Sequence, residues 1–270
     1  MKLAICNETF QEWPFDKAFA YAKAAGYTGI EIAPFTLDKD ATKISPAMRD
    51  ETRDLALENG LEVVGLHWLL AFTDGYYLTS PDEEVQKRTG EYLAELARLC
   101  RDLTGKVLVL GSPVQRNLLP GVSHAQAMQY AKATIQRAIG TYEECGVTLA
   151  LEPLGPQEGD FLLSADAGRE LMEMVDSPAC RLHLDVKAMS SEGKPIDEII
   201  RKHGDCMAHF HANDANMRGP GMGDIDFLPI IQALRDVKYD GWVSVEVFDY
   251  APGVETLVDE SIAYLKKCIG

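Results

Sequence analysis

Short apolar runs alternate with amphipathic stretches along the whole chain. Eight runs are rich in β-branched and aliphatic residues, as is typical of buried strands. The predicted strands cover residues 3–6, 29–32, 62–66, 107–110, 147–151, 181–184, 208–210 and 243–245. Each run is followed by enough chain for one helix, so the pattern predicts a series of βα units.

Helical patterns lie between these runs. One begins at Pro46 and ends at the pair Asn59-Gly60, which typically stops a helix. A second spans residues 125–145, and the last has apolar residues every three or four positions from 254 to 268. A further helix is predicted to begin near Phe227, with Asp226 as its N-cap.

Eight βα units in about 250 residues match the (β/α)₈ barrel. A doubly wound open sheet is the alternative, but no GxGxxG motif follows the first strand. No linker rich in Pro, Gly or Ser divides the chain. We therefore predict an α/β fold, a single (β/α)₈ TIM-barrel domain over residues 1–270, with its active site at the carboxyl ends of the strands.

Composition and charge narrow the possible partners. The 42 acidic and 26 basic side chains give a net charge of −16, which argues against nucleic acid and anionic membranes. No apolar run can span a bilayer, and the amino terminus turns polar too soon for a signal peptide. We expect a cytoplasmic protein with six free cysteines and a small-molecule partner.

Charged side chains end the last four predicted strands: Glu152, Asp185, His211 and Glu246. Three converging carboxylates would repel one another and raise one another's pKa unless a cation lay between them. The pattern predicts one divalent metal ion per chain. Mn²⁺, Mg²⁺ and Co²⁺ suit three oxygen ligands and one nitrogen best, whereas Zn²⁺, still a candidate, usually recruits more His or Cys.

Three histidines near these strand ends have open roles. His183 and His209 lie two residues before ligand candidates, so they face the same side of their strands. They either orient the carboxylates or are hydrogen-bonded core residues. His67 ends the third strand and is predicted to contact substrate. The aromatic segment 67–77 that it begins either shapes a sugar site or packs against a helix or a subunit interface.

These strand ends, in this order, resemble the xylose-isomerase-like TIM-barrel family, which includes ketose 3-epimerases, hydroxypyruvate isomerase and inosose dehydratase. The most specific motifs are Leu151-Glu152-Pro153-Leu154, Leu184-Asp185, His209-Phe210-His211 and Val245-Glu246. The resemblance implies that Glu152, Asp185, His211 and Glu246 bind the metal. It also implies that the two glutamates exchange protons with the substrate and that Glu158 contacts it.

The chain departs from the family pattern in two places. Many relatives carry a histidine three residues after the aspartate, where this chain has Ala188. Lys187 either takes over that substrate contact or is solvated. The arginine of the epimerase branch has its nearest counterpart in Arg218, one residue out of register.

The leading hypothesis is a metal-dependent isomerase or epimerase that forms an enediolate from a monosaccharide or a related hydroxy-carbonyl compound. The alternatives are a lyase or dehydratase on a keto-sugar, keto-inositol or 3-keto-glycoside, and a non-catalytic sugar-binding subunit. A neutral sugar is expected rather than a phosphorylated one. We also expect a homodimer or homotetramer.

Overall fold

Eight parallel strands close into a barrel in which neighbours pair in chain order and β1 closes on β8. The computed structural model describes residues 1–270. The strands are β1 (Lys2–Cys6), β2 (Gly29–Ile32), β3 (Glu62–Leu66), β4 (Val107–Leu110), β5 (Thr148–Leu151), β6 (Cys180–Asp185), β7 (Met207–Ala212) and β8 (Trp242–Val245). The predicted (β/α)₈ barrel is confirmed.

Ten helices surround the barrel. They are α1 (Phe15–Ala25), α2 (Pro46–Glu58), α3 (Glu83–Asp102), α4 (His124–Gln136), α5 (Ile139–Cys145), α6 (Ala165–Val175), α7 (Val186–Ser190), α8 (Ile196–His203), α9 (Phe227–Asp236) and α10 (Val254–Ile269). Asp226 caps α9 as predicted, accepting a hydrogen bond from the Leu228 N–H. No helix combines the length and apolar character needed to cross a membrane.

The predicted helix over residues 125–145 is two helices, α4 and α5. The chain tightens at the break, where Ala138 N–H donates to the Ile135 carbonyl at 2.9 Å and Thr141 N–H to the Ala138 carbonyl at 2.8 Å. Helix α3 packs closely here, because a Cβ on Gly90 would lie only 2.7 Å from the Arg137 Cβ. Hydrophobic periodicity does not report such a packing contact, so the break was not predictable.

Strands β6 and β7 extend further than predicted, which affects the site. Asp185 ends β6 and pairs in register with His211, which lies within β7. Both side chains are therefore held by strand backbone rather than by loops. A small cluster of Ala4, Val64 and Val107 with Ala150 packs separately from the main core. All six cysteines are free, as predicted.

Candidate active site

The four predicted metal ligands converge at the carboxyl ends of β5 to β8. Glu152, Asp185 and His211 each place a ligand atom within 4.8 Å of the others. Glu246 joins them through its Oε2, which lies 3.0 Å from the His211 Nδ1. All four side chains are buried. The sequence therefore identified residues that the fold does bring together.

Two donors orient the Asp185 carboxylate. Its Oδ1 accepts a hydrogen bond from the Ala188 backbone N–H at 2.7 Å, and its Oδ2 accepts one from Asn213 Nδ2 at 2.6 Å. The first bond exists because Asp185 caps α7, which starts directly after β6. Ala188 therefore contributes its backbone here, although its side chain cannot bind a ligand.

Glu152 is held from two sides. Its backbone carbonyl accepts a hydrogen bond of 2.6 Å from the buried guanidinium of Arg116. Its carboxylate lies over Gly111, the residue after β4, where a Cβ would be only 1.7 Å from the Glu152 Oε2. The absence of a side chain at Gly111 is what leaves room for this carboxylate.

Trp68 contacts the fourth ligand and was not predicted to do so. Its indole N–H donates to the Glu246 Oε1 at 2.8 Å. The Trp68 backbone has a φ of 54°, an uncommon conformation for a large residue and one often found at functional sites. Its ring stacks on Phe248 with centroids 6.0 Å apart. Its place directly after the end of β3 was the only indication in the sequence.

A buried carboxylate lies beneath the ligands. Glu31 contacts the His211 Nε2 through its Oε1 at 3.2 Å and the His209 Nε2 through its Oε2 at 2.9 Å. Because Glu31 occupies one ring nitrogen of His211, the Nδ1 is the one directed towards Glu246. Glu31 is wholly buried within β2.

The pKa values of the three carboxyl groups in the site are shifted in different directions. Burial raises the pKa of Glu152 well above its usual range, and repulsion from Glu246 and Asp185 raises it further. Burial also raises the pKa of Asp185. Burial alone would raise the pKa of Glu246 as well, but the attraction and hydrogen bond of His211 lower it overall. Glu152 is thus biased towards its protonated form and Glu246 towards its ionised form.

These residues fit a divalent cation. They supply carboxylate oxygens and one imidazole nitrogen, the donors that Mn²⁺, Co²⁺ and related ions accept. The 3.0 Å between His211 Nδ1 and Glu246 Oε2 suits adjacent ligand atoms on one ion, given metal–ligand bonds of about 2.0–2.2 Å. A cation would also offset the repulsion that raises the pKa of Glu152.

A cavity of about 550 Å³ opens above the two glutamates. Glu152, Glu246 and Glu158 line it together with His67. Lys187 lies beside it, with its Nζ 2.7 Å from the Glu158 Oε1. The same Nζ is 3.7 Å from the centre of the Phe248 ring, and Phe248 also lines the cavity.

Two residues that were predicted to contact substrate, His67 and Arg218, are bonded to neighbouring carboxylates. His67 is wholly buried, and its Nε2 lies 2.5 Å from the Glu8 Oε2. Arg218 is outside the cavity lining, and its Nε donates to the Asp249 Oδ2 at 2.8 Å. The structure therefore brings His67 to the cavity wall but directs Arg218 towards Asp249.

The aromatic segment 67–77 lies partly in the core and partly at the cavity. Leu69 and Leu70 are buried in the core. Trp68 and Phe72 line the cavity, and Phe72 is 62% exposed there. Leu69 and Leu70 therefore contribute to the core, whereas Trp68 and Phe72 form part of the cavity wall.

Comparison with known proteins shows the family to which this chain is similar. The profile of the family described as "Xylose isomerase-like TIM barrel" matches residues 19–268. The D-psicose 3-epimerase of Ruminiclostridium cellulolyticum is 27% identical over 244 residues, 88% of this chain and 80% of that protein. The L-ribulose 3-epimerase of Methylomonas sp. is 27% identical over 232 residues, 86% and 78% of the two chains.

A solved structure shares the fold. The crystal structure of D-psicose 3-epimerase with D-tagatose from Clostridium cellulolyticum H10 superposes with a TM-score of 0.87. The match covers 100% of this chain and 99% of that one at 20% sequence identity. At this identity the likeness supports the barrel architecture.

Proposed function

The chain belongs to the xylose isomerase-like TIM barrel family, and from this membership we propose that it is a metal-dependent ketose 3-epimerase. The observation that carries the proposal is that Glu152 and Glu246 line the same cavity. They come from β5 and β8, which do not pair with each other, so they reach the cavity from separated parts of the ring. Epimerisation needs two such groups, one for each face of the reacting carbon.

The two glutamates can act as an acid–base pair. His211 outweighs the effect of burial and lowers the pKa of Glu246, so Glu246 can accept the proton from the carbon beside the substrate carbonyl. Glu152 lines the same cavity from another part of the strand ring, so it can return a proton to the opposite face. In the reverse reaction the roles exchange.

Glu152, Asp185, His211 and Glu246 would hold the metal, with Mn²⁺ proposed as the ion. When bound, a divalent ion polarises a carbonyl and stabilises the negative charge that develops on its oxygen. Asp185 is oriented for this role by the Ala188 N–H and Asn213. Trp68 holds the second oxygen of Glu246, which keeps that carboxylate in one orientation.

The proposed substrate is an unphosphorylated sugar. Lys187 is paired with Glu158 and is therefore not free to bind a phosphate, although Lys39 also lines the cavity. Glu158 and Lys187 offer hydrogen bonds to hydroxyl groups, while Phe248 and Trp68 offer apolar faces. Relatives named for D-psicose and L-ribulose support a ketohexose or ketopentose as substrate.

The test is a panel of ketoses incubated with Mn²⁺-loaded protein, with products separated by chromatography. We expect conversion between 3-epimers, and a loss of about 100-fold or more in Glu246→Gln and in Glu152→Gln, in keeping with the usual contribution of a positioned acid–base group. Glu62→Gln is the matched control, because Glu62 is exposed at the start of β3 and pairs with Lys2. No conversion of any ketose, or full activity in both site variants, would contradict the proposal.

A further inference from the structure

His183 is a buried side chain whose polar atoms have no partner. It lies on β6 two residues before Asp185, and none of its surface is exposed. Neither its Nδ1 nor its Nε2 has a hydrogen-bond partner. His209, its register partner on β7, is bonded to Glu31 at 2.9 Å. Among the buried histidines, His183 is the one in which neither ring nitrogen has a partner.

An unpartnered polar group in a protein interior is unfavourable by about 1–3 kcal/mol. Such groups are rare in native structures and often indicate an ion or a water molecule. His183 was expected either to orient a carboxylate or to be a hydrogen-bonded core residue. The structure fits neither, since its nearest carboxylate oxygen, the Glu152 Oε1, is 3.7 Å away. That distance is too long for a hydrogen bond.

The imidazole is nevertheless directed at the metal ligands. His183, Glu152, Asp185 and His211 form a group in which every pair of ligand atoms lies within 4.8 Å. Its ring meets that of His211 edge to face, with centroids 4.2 Å apart. Glu246 is not a member of this group and reaches it only through His211.

We propose that His183 is a further nitrogen ligand of the divalent ion, beside Glu152, Asp185, His211 and Glu246. The inference rests on the proposed function, because it concerns the same metal centre. It assigns a partner to the unbonded imidazole. It also changes the donor set from one nitrogen to two, which favours borderline ions such as Co²⁺ and Zn²⁺ over Mg²⁺.

The experiment counts the nitrogens on the ion. Protein with ¹⁵N-labelled histidine is loaded with Mn²⁺ and examined by pulsed EPR, and the Mn²⁺ Kd is measured by calorimetry. We expect two coupled nitrogens in the wild type and one in His183→Met, with a Kd increased about 10- to 100-fold, as loss of a supporting residue typically produces. His209→Met, the same change in the same layer, should keep both nitrogens.

The outcomes separate the inference from the proposed function. One nitrogen in the wild type, with an unchanged Kd in His183→Met, would overturn the inference and leave the metal centre intact. No Mn²⁺ binding by the wild type would overturn both. If His183→Met does not fold, the nitrogen count of the wild type decides the question alone.

Discussion

Replacing Gly111 by alanine should displace the Glu152 carboxylate, the proposed acid–base group, without unfolding the barrel. The added Cβ would lie 1.7 Å from the Glu152 Oε2, whereas an ordinary van der Waals contact begins at 3.4 Å. Gly111 does not have a positive φ, so alanine introduces no backbone strain there. The atom that must move is the end of a flexible side chain, so the stability of the protein should change little.

The effect on catalysis should be large. A displacement of about 1 Å in a positioned group can reduce the rate about 100-fold. The carboxylate must move further than that, so we expect kcat/KM to fall by at least about 100-fold and the Mn²⁺ Kd to rise. The measurements are ketose epimerisation, Mn²⁺ calorimetry and thermal unfolding of the Gly111→Ala variant.

Gly140→Ala is the matched control. Gly140 lies in α5, and a Cβ there would meet nothing within 4 Å. This variant should be slightly more stable than the wild type, because alanine favours a helix by about 1 kcal/mol, and it should be fully active. Normal activity and metal affinity in Gly111→Ala would show that the Glu152 carboxylate is not used in the position described.

Three further predictions concern other parts of the molecule. Trp68→Phe keeps an aromatic ring but removes the N–H bond to Glu246. A hydrogen bond to a charged group contributes about 1.5–3 kcal/mol, so kcat/KM should fall about tenfold or more and Tm should fall as well; full activity would contradict this. Hydrogen bonds from Lys202 and Lys194 lower the pKa of Asp166 to about 2. The stability that Asp166 contributes is therefore present above its ordinary pKa of 3.8 and is lost as pH falls towards 2. Asp166→Asn should lower the free energy of unfolding by less than about 1 kcal/mol at pH 7, because the Asp166 side chain is 44% exposed. Urea unfolding should show a smaller difference between variant and wild type at pH 3. A difference that stays constant between pH 7 and pH 3 would contradict this prediction. Sedimentation should show a homodimer or homotetramer, and a monomer at micromolar concentration would refute that prediction.

The convergence of the four proposed metal ligands could be predicted because it follows a rule of the fold. Parallel strands end at one face of a barrel, so a charged residue at the end of each of β5 to β8 must reach that face. No knowledge of side-chain conformation was needed. The βα alternation predicted the strands for a similar reason, since buried parallel strands are continuous apolar runs.

The contacts around the ligands depend on information that hydrophobic patterning lacks. Trp68 reaches Glu246 from a backbone with a positive φ. Glu31 contacts His211 across the barrel interior, although β2 and β7 do not pair. Arg218 was assigned from its distance along the chain, but loop geometry directs it to Asp249. Tertiary packing, not local sequence, determined each of these.

The position of deuterium in the product tests the central proposal most directly. D-psicose is incubated in D₂O with the Mn²⁺-loaded protein and followed by NMR. A 3-epimerase should form D-fructose carrying one deuterium at C3, and the recovered D-psicose should carry deuterium at the same carbon. An aldose product with deuterium at C2, together with deuterium at C1 of the recovered D-psicose, would indicate an isomerase instead. A product lighter by one water would indicate a lyase. No exchange at all with any ketose would contradict the assignment of Glu152 and Glu246 as an acid–base pair.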